Sequence, residues 1–295
     1  MAYTTVSKST AHHNNLIYTG NGSARTVTGV GFQPDFFWIK QRSGTQGHLL
    51  WDVARGGNYY LPSSATSTNA ADIGTFTAAS DGYSLATDGA YNDNSETYAA
   101  WNWLAGGSAG SSNTDGTINT TSTSVNTVSK FSVSKYTGTG SNATIGHGLG
   151  VVPKVIIFKR LDSADDWTVY HASKGATYKI DLNNANAATQ VATVFNNTAP
   201  TSSLMTVGTN GRTNASGGTY LVYAFADVPG YSRFGMYTGN SSAMSDSFDA
   251  PFIYTGFKPS TVIIKGVGAN GRDWYIWNNK NLGYNPDNNE LYPSR

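Results

Sequence analysis

Short apolar runs recur along the chain at a fixed distance from a preceding proline, and each run ends in lysine. The runs occupy residues 34–40 (PDFFWIK), 153–159 (PKVIIFK) and 259–265 (PSTVIIK). In the first copy, the continuous apolar run Phe36–Ile39 predicts a strand that is buried on both faces. A Tyr-Thr-Gly triplet precedes each run, beginning at Tyr18, Tyr136 and Tyr237. Self-similarity of this kind predicts tandem structural repeats.

Further strands are predicted around each apolar run. The second strand of each copy is predicted at His48–Val53, Trp167–His171 and Asp273–Trp277. The first two copies then close with an aromatic strand, Thr97–Trp103 and Thr219–Phe225, in which aromatic residues alternate with small or polar ones. Alternation with a period of two indicates a half-buried strand. The third copy shows no such closing strand before Arg295.

These elements predict an all-β fold of tandem antiparallel β-sandwich (jelly-roll-like) repeats, two complete and one partial. The predicted segments are an N-terminal arm (1–15), a first β repeat (16–104), a Gly/Ser/Thr-rich linker (105–129), a second β repeat (130–230) and a partial third repeat (231–295). An unfinished sheet leaves backbone N–H and C=O groups unpaired, which favours the addition of a strand from another chain. We therefore expect assembly into a homo-oligomer, with a trimer favoured.

Composition supports the β prediction and narrows the functional classes. Charged residues make up 13% of the chain, against roughly 25% in an average globular protein. Few charged residues and many Thr, Tyr, Val and Gly favour strands and turns over exposed helices. The net charge of +1 and the lack of a Lys/Arg run give no indication of nucleic-acid binding. No cysteine is present, and no segment has the length of a membrane span.

One motif resembles a dinucleotide-binding fingerprint, the G-x-G-x-x-G of residues 266–271. That fingerprint requires a helix N-terminus immediately afterwards to hold the pyrophosphate. Here the following residues, 272–277 (RDWYIW), predict a strand instead. The equivalent stretches of the other copies, 42–47 and 160–165, lack the glycine pattern. The motif is therefore predicted to be a hairpin loop.

Titratable residues do not form a recognisable catalytic or metal-binding pattern. The histidines are interpreted as structural or surface residues: His12, His13, His48, His147 and His171. The candidate carboxylates for acid/base hydrolysis all lie in predicted loops, where acidic residues commonly form turns: Asp93, Glu96, Asp162, Asp165 and Asp166. We therefore predict no catalytic residue, no cofactor and no metal.

Aromatic residues are the remaining candidates for a binding surface. Tryptophans and tyrosines could stack on sugars, but several recur at equivalent strand positions, as Trp101 and Tyr223 do. Recurrence after internal duplication favours packing, so these side chains are interpreted as core. Tyr59 and Tyr60 follow a glycine-rich loop. They are the predicted exposed pair and the candidate binding aromatics.

Several segments together resemble virion structural, tail-fibre-like proteins of tailed bacteriophages, especially those of marine hosts. The segments are 1–5 (MAYTT), 31–35 (GFQPD), 100–103 (AWNW), 146–149 (GHGL), 199–203 (APTSS) and 234–239 (FGMYTG). The resemblance covers the whole chain. Members of that family usually complete the third repeat with a further aromatic strand, and this sequence departs from them there.

The resemblance implies a non-enzymatic virion protein, assembled in the host cytoplasm. The expected role is a tail fibre or fibre-associated protein whose N-terminal arm docks onto the tail while the repeats meet the host surface. The expected partners are other virion proteins and a host surface glycan or protein, with neither nucleic acid nor a membrane span involved. The alternatives are a capsid decoration or head-fibre protein, and a carbohydrate-binding, lectin-like module or sugar-active enzyme.

Overall fold

The computed structural model describes residues 4–57, 59–71, 76–240, 251–281 and 289–295. Strands hold 37% of the residues and helices 6%. The ladders between these strands are antiparallel. The prediction of an all-β antiparallel fold is confirmed, in keeping with a sequence rich in β-branched and aromatic residues.

The first unit, residues 13–103, forms a six-stranded sheet in the order β1-β9-β3-β4-β5-β6 and a smaller sheet in the order β2-β8-β7. Its strands are β1 (His13–Thr19), β2 (Arg25–Thr28), β3 (Phe36–Gln41), β4 (Leu49–Asp52), β5 (Tyr59–Pro62), β6 (Ala70–Ala71), β7 (Thr77–Ala79), β8 (Gly82–Leu85) and β9 (Thr97–Trp103). The helical turn α1 (Gly89–Asn92) precedes the closing strand β9.

The second unit, residues 120–225, forms a seven-stranded sheet in the order β10-β11-β18-β13-β14-β15-β16 and a small sheet of β12 and β17. Its strands are β10 (Thr120–Asn126), β11 (Phe131–Thr137), β12 (Ala143–Gly146), β13 (Val155–Arg160), β14 (Thr168–His171), β15 (Tyr178–Asp181), β16 (Thr189–Gln190), β17 (Leu204–Val207) and β18 (Thr219–Phe225). The short helices are α2 (Ala192–Phe195) and α3 (Gly211–Asn214).

The main sheets of the two units have the same strand order once β10 is set aside. The opening strand (β1 or β11) pairs with the closing strand (β9 or β18), which pairs in turn with the apolar strand (β3 or β13). The predicted equivalence of Thr97–Trp103 and Thr219–Phe225 is therefore seen in the register of the structure.

Two predicted segment boundaries are corrected by the structure. The last residues of the predicted arm, from His13 onward, belong to β1 and pair with β9, and Val6 is buried. The predicted linker contains β10, which pairs along β11. Alternating Thr, Ser and Val side chains suit a strand at a sheet edge, so low hydrophobicity alone did not indicate a flexible connector here.

Strand β3 is buried on both faces, as predicted. In β13 one face is buried, and the other is half-buried at Val155 and Ile157. Phe37 and Ile39 pack into the core between the two sheets of the first unit. Phe36 and Trp38 point to the opposite face and enter a second core that the units share. Strand β13 repeats this division, with Ile156 and Phe158 facing its own small sheet.

The shared core joins all three parts of the chain. Its buried members include Trp101 from the first unit, Trp167 and Tyr223 from the second, and Ile276 from the third. The closing strands are therefore covered on both faces, and the prediction that they are half-buried is wrong. One face of each meets the small sheet of its own unit, and the other meets the neighbouring units.

The contact between the first and second units recurs between the second and third. The indole N–H of Trp167 donates to Pro62 O at 3.0 Å, and that of Trp274 donates to Asp181 O at 2.8 Å. Lys159 Nζ donates to Thr66 O, and the equivalent Lys265 Nζ donates to Asn184 O. Each unit therefore docks onto the preceding one through the same pair of side chains.

The described part of the third unit, residues 231–240, 251–281 and 289–295, contains two strands. Its strands β19 (Thr261–Lys265) and β20 (Trp274–Asn278) form a two-stranded antiparallel sheet. Leu291 bridges to Ile276 on the outer side of β20. The opening strand predicted near Tyr237 is not formed, and residues 235–240 are irregular and exposed. That prediction is wrong because the described third unit has no closing strand for it to pair with.

Candidate interaction surface

The two complete units show what the Tyr-Thr-Gly triplet does. Tyr18 stacks on Tyr98 of the closing strand with ring centroids 5.1 Å apart, and Tyr136 stacks on Tyr220 at 5.0 Å. The hydroxyl of Tyr98 donates to Gly89 O at 2.9 Å in the α1 turn. The triplet tyrosine and the closing-strand tyrosine therefore join the opening strand, the helical turn and the closing strand.

The triplet glycine is required by a close backbone approach. A Cβ atom on Gly20 would lie 2.1 Å from Asp93 O, and one on Gly138 would lie 2.4 Å from Ala215 O. Both carbonyls belong to the segment that leads into the closing strand. Any side chain at these positions would push that segment away.

The third triplet has none of these contacts. Tyr237 is 47% exposed, and no atom of the described residues lies within 4 Å of a Cβ placed on Gly239. The described third unit therefore carries the opening signature of a complete unit without the elements that the signature packs against.

Strand β19 is open on one side for the same reason. In the complete units the apolar strand lies between the closing strand and the second strand, as β3 lies between β9 and β4. Among the described residues, β19 pairs with β20 alone. Its Val262 and Ile263 are exposed, whereas Phe37 and Trp38 at the equivalent positions of β3 are buried.

Exposed apolar side chains concentrate in this part of the chain. Of the eleven large hydrophobic residues that are exposed in the described parts of the chain, seven lie between positions 236 and 263: Met236, Tyr237, Phe252, Ile253, Tyr254, Val262 and Ile263. Phe252 is 88% exposed. Apolar residues concentrated at the surface mark sites of interaction with other molecules. We call β19 and these seven residues the open surface.

Strand β19 of the open surface is held in place by the other two units. His13 lies with Nδ1 2.9 Å from Asn102 O and Nε2 2.8 Å from Thr261 Oγ1. Asn15 donates through Nδ2 to Ser260 O at 2.8 Å. At the far end of β19, Ala188 N donates to Val267 O at 3.1 Å. Strand β19 is therefore anchored at both ends, and its other edge is unpaired among the described residues.

The comparisons with known proteins identify the family. A family model described as "Domain of unknown function (DUF7483)" matches residues 8–295.

The chain belongs to this family.

No curated protein and no solved structure matches the chain. The DUF7483 match extends across all three units and the open surface.

The two predicted binding aromatics of this DUF7483 protein differ in their exposure to solvent. Tyr59 is exposed at the start of β5, whereas Tyr60 is half-buried and packs against the core of the first unit. The prediction that both are exposed is wrong for Tyr60, because consecutive residues of a strand point to opposite faces. Binding through Tyr59 stays a prediction.

The G-x-G-x-x-G of residues 266–271 lies in the loop between β19 and β20. These two strands pair from Lys265 opposite Trp274 to Thr261 opposite Asn278. The hairpin-loop prediction is confirmed.

The predicted core role of the recurring aromatics is confirmed for four of the seven, whereas Trp103, Phe225 and Trp277 are half-buried. Trp51, Trp101, Tyr170 and Tyr223 are all buried. The docking role of Trp167 and Trp274 was not predicted from the sequence. These two tryptophans occupy equivalent positions, and each donates a hydrogen bond to the preceding unit. Their recurrence was a signal that could have identified the contact.

The histidines lie in packed or hydrogen-bonded positions. His48 is buried and accepts from Trp38 Nε1 at 2.8 Å. His147 is buried with Nε2 3.2 Å from Thr201 O. Burial lowers the pKa of His13 to about 4, and burial also lowers the pKa of His48, His147 and His171. Neutral histidines of this kind suit the structural role that the sequence analysis assigned to them.

The carboxylates of the second unit form a charge-balanced cluster. Arg212 contacts Asp166 at 2.5 Å and Asp181 at 3.2 Å, and Lys179 contacts Asp181 at 2.6 Å. Burial acts to raise the pKa of Asp166, but hydrogen bonding from Asn183 and the charge of Arg212 outweigh it, so the pKa is lowered. A carboxyl with a lowered pKa is a poor general acid near neutral pH.

Two further observations concern the chemistry open to the described residues. No group of three or more His, Cys, Asp or Glu side chains in the described ranges is placed to hold a metal ion. The α-helices in those ranges are four residues each, against roughly 20 residues for a membrane span, so none could cross a bilayer.

Proposed function

We propose that this protein is a non-enzymatic structural component of a bacteriophage virion, acting as a tail fibre or fibre-associated protein that contacts the host surface. The observation that carries the proposal is the open surface: a firmly anchored β unit presents an unpaired strand edge and seven exposed apolar side chains. A surface of this kind serves assembly rather than catalysis. The resemblance of residues 1–5, 100–103 and 234–239 to virion proteins supports the same role.

The rest of the fold suits a component of a particle. Three units share one core and dock through repeated contacts, so the protein can transmit load without a hinge between its units. Several copies on one particle would strengthen weak contacts with a host through avidity. The expected homo-oligomer stays a prediction, which native mass measurement of the purified protein would test.

Immunogold labelling of gradient-purified particles tests the proposal. Antibodies raised against the recombinant protein are expected to decorate the tail. Labelling of the capsid would replace the fibre role with that of a decoration or head-fibre protein. Absence of the protein from purified particles, checked by mass spectrometry, would refute the virion role altogether.

A glycan array tests the expected host contact separately. Binding that is lost in Tyr59→Ala and kept in Tyr178→Ala would assign the contact to the predicted aromatic, since Tyr178 begins the equivalent strand β15. Cleavage of the bound glycan would overturn the non-enzymatic assignment.

A further inference from the structure

We propose that the free edge of β19 is a strand-acceptor site for an extended segment of a partner polypeptide that has the closing-strand pattern. That pattern is Thr-Tyr, then two small or aliphatic residues, then an aromatic, a spacer and a second aromatic. The chain carries it at Thr97–Trp103 and Thr219–Phe225. The inference rests on the internal equivalence of the units and is independent of the proposed virion role.

The complete units show which element covers this edge. Strand β9 lies between β1 and β3, and β18 lies between β11 and β13. Trp38 of β3 faces Trp101 of β9, and Ile157 of β13 faces Tyr223 of β18. In β19 the equivalent residue is Ile263, which is 42% exposed. The same strand type would cover it by the same ladder.

The register of the incoming strand follows from these ladders. Phe36 and Val155, the equivalents of Thr261, face the seventh residue of the closing strand, Trp103 and Phe225. Ile263 would therefore lie opposite the fifth residue of the incoming strand, and Lys265 opposite the third. Antiparallel addition to an exposed edge obtains affinity from the backbone and specificity from alternate side chains.

The incoming strand would also give the third Tyr-Thr-Gly triplet the stacking partner that the triplet has in the complete units. The second residue of the closing strand, Tyr98 or Tyr220, stacks on the triplet tyrosine of its own unit. Tyr237 is exposed and available for the same stacking. In the complete units one closing strand contacts both the apolar strand and the triplet tyrosine, so one incoming segment would cover both Ile263 and Tyr237.

A second copy of the chain is a poorer occupant than a partner. Both strands with the closing pattern, β9 and β18, are already paired on two sides within their own units. In the described ranges no free strand of this pattern is left for exchange between copies.

Fluorescence anisotropy with a labelled peptide tests the site. The peptide has the sequence of residues 95–106 (SETYAAWNWLAG), which contains the whole of β9. We expect saturable binding to the full chain that weakens at least tenfold in Ile263→Asp. The matched control is Ile17→Asp, because Ile17 is also 42% exposed and lies on the edge strand β1. Binding to that variant should stay within twofold of wild type.

A second peptide separates strand addition from general hydrophobic adhesion. In it both tryptophans are moved by one position, onto the opposite face of the strand. It should bind at least tenfold more weakly than the first peptide, since a shift by one residue turns every side chain to the other side of a sheet.

Hydrogen exchange on the wild-type protein keeps the test decisive if Ile263→Asp fails to fold. Addition of the first peptide should slow exchange of the amides of residues 261–265. Absence of binding, equal loss in Ile17→Asp and Ile263→Asp, or unchanged exchange would each overturn the proposal. Self-association of the protein that depends on Ile263 would also overturn it, by identifying a second copy as the occupant.

Discussion

The triplet glycines give a prediction with an internal control. Gly20→Ala places a methyl group 2.1 Å from Asp93 O, and Gly138→Ala places one 2.4 Å from Ala215 O. The obstacle at Gly20 is backbone that is itself held, because Gly20 N donates to Glu96 O at 2.8 Å and Ser95 N donates to Gly20 O at 3.1 Å. The new methyl group of Gly20→Ala can therefore be accommodated only if the turn before the closing strand moves.

The size of the effect follows from the cost of overpacking. Inserting a methyl group into a well-packed site costs about 1–3 kcal/mol. We expect about 3 kcal/mol for Gly20→Ala, where the contact is shortest, and about 2 kcal/mol for Gly138→Ala. Gly239→Ala meets no atom of the described residues within 4 Å, so its effect should stay within about 1 kcal/mol of zero.

Thermal unfolding followed by near-ultraviolet circular dichroism measures the difference. Since a change of 1 kcal/mol shifts the Tm of a domain of this size class by about 2–3 °C, Gly20→Ala should lower the Tm by about 6–9 °C. Gly239→Ala should move it by less than about 3 °C.

Two results would refute this reasoning. If Gly239→Ala were as destabilising as Gly20→Ala, the third triplet would be packed in solution and the open surface would not exist. If Gly20→Ala were silent, the close approach between the triplet and the closing segment would not hold.

Three further predictions concern buried polar groups. Arg55→Met leaves buried Asp52 without the Nε partner that lies 2.5 Å away, so the free energy of unfolding in urea should fall by about 3–5 kcal/mol. Adding Asp52→Leu should recover most of that loss. An unchanged free energy of unfolding in Arg55→Met would contradict the buried ion pair. Trp167→Phe removes the donor to Pro62 O and should lower the free energy of unfolding by about 1–3 kcal/mol in the same assay. An unchanged urea midpoint would show that docking of the units does not depend on this hydrogen bond. Burial lowers the pKa of His13 to about 4 from the ordinary 6.5, so the stability that depends on neutral His13 is fully present above pH 6.5 and is lost as the pH falls toward 4. The urea midpoint of unfolding should decrease over that pH range, and it should decrease less steeply in His13→Gln. A urea midpoint that does not change with pH would contradict the lowered pKa.

Much of the fold could be predicted because its signals are local. The apolar runs of β3, β13 and β19 predict strands within a few residues of their observed bounds, since strand formation follows from a continuous run bounded by turns. The loop at residues 266–271 could be assigned because the residues after it predict a strand. The position of β10 could not, because its Thr/Ser-rich sequence is stabilised by pairing with β11 rather than by its own hydrophobicity.

The open surface could likewise be predicted only in part from the sequence. The repeats led to the expectation of an unpaired edge, and among the described residues β19 pairs with β20 alone. The exposure of Ile263 and the anchoring of β19 by His13 and Asn15 depend on contacts about 245 residues apart in the sequence, which local patterns do not encode. Tyr60 was misjudged because exposure depends on the face of β5 that its neighbours cover.

The amino-acid sequence by itself determined the β class and the repeated strands, since these follow from composition, periodicity and spacing along the chain. Only the tertiary structure decided that the three units share one core. Burial is a property of neighbours in space: Trp101 and Tyr223 are covered because other units pack on them, whereas Tyr237 and Ile263, with equally apolar sequences around them, stay open because no closing strand lies beside them in the described chain.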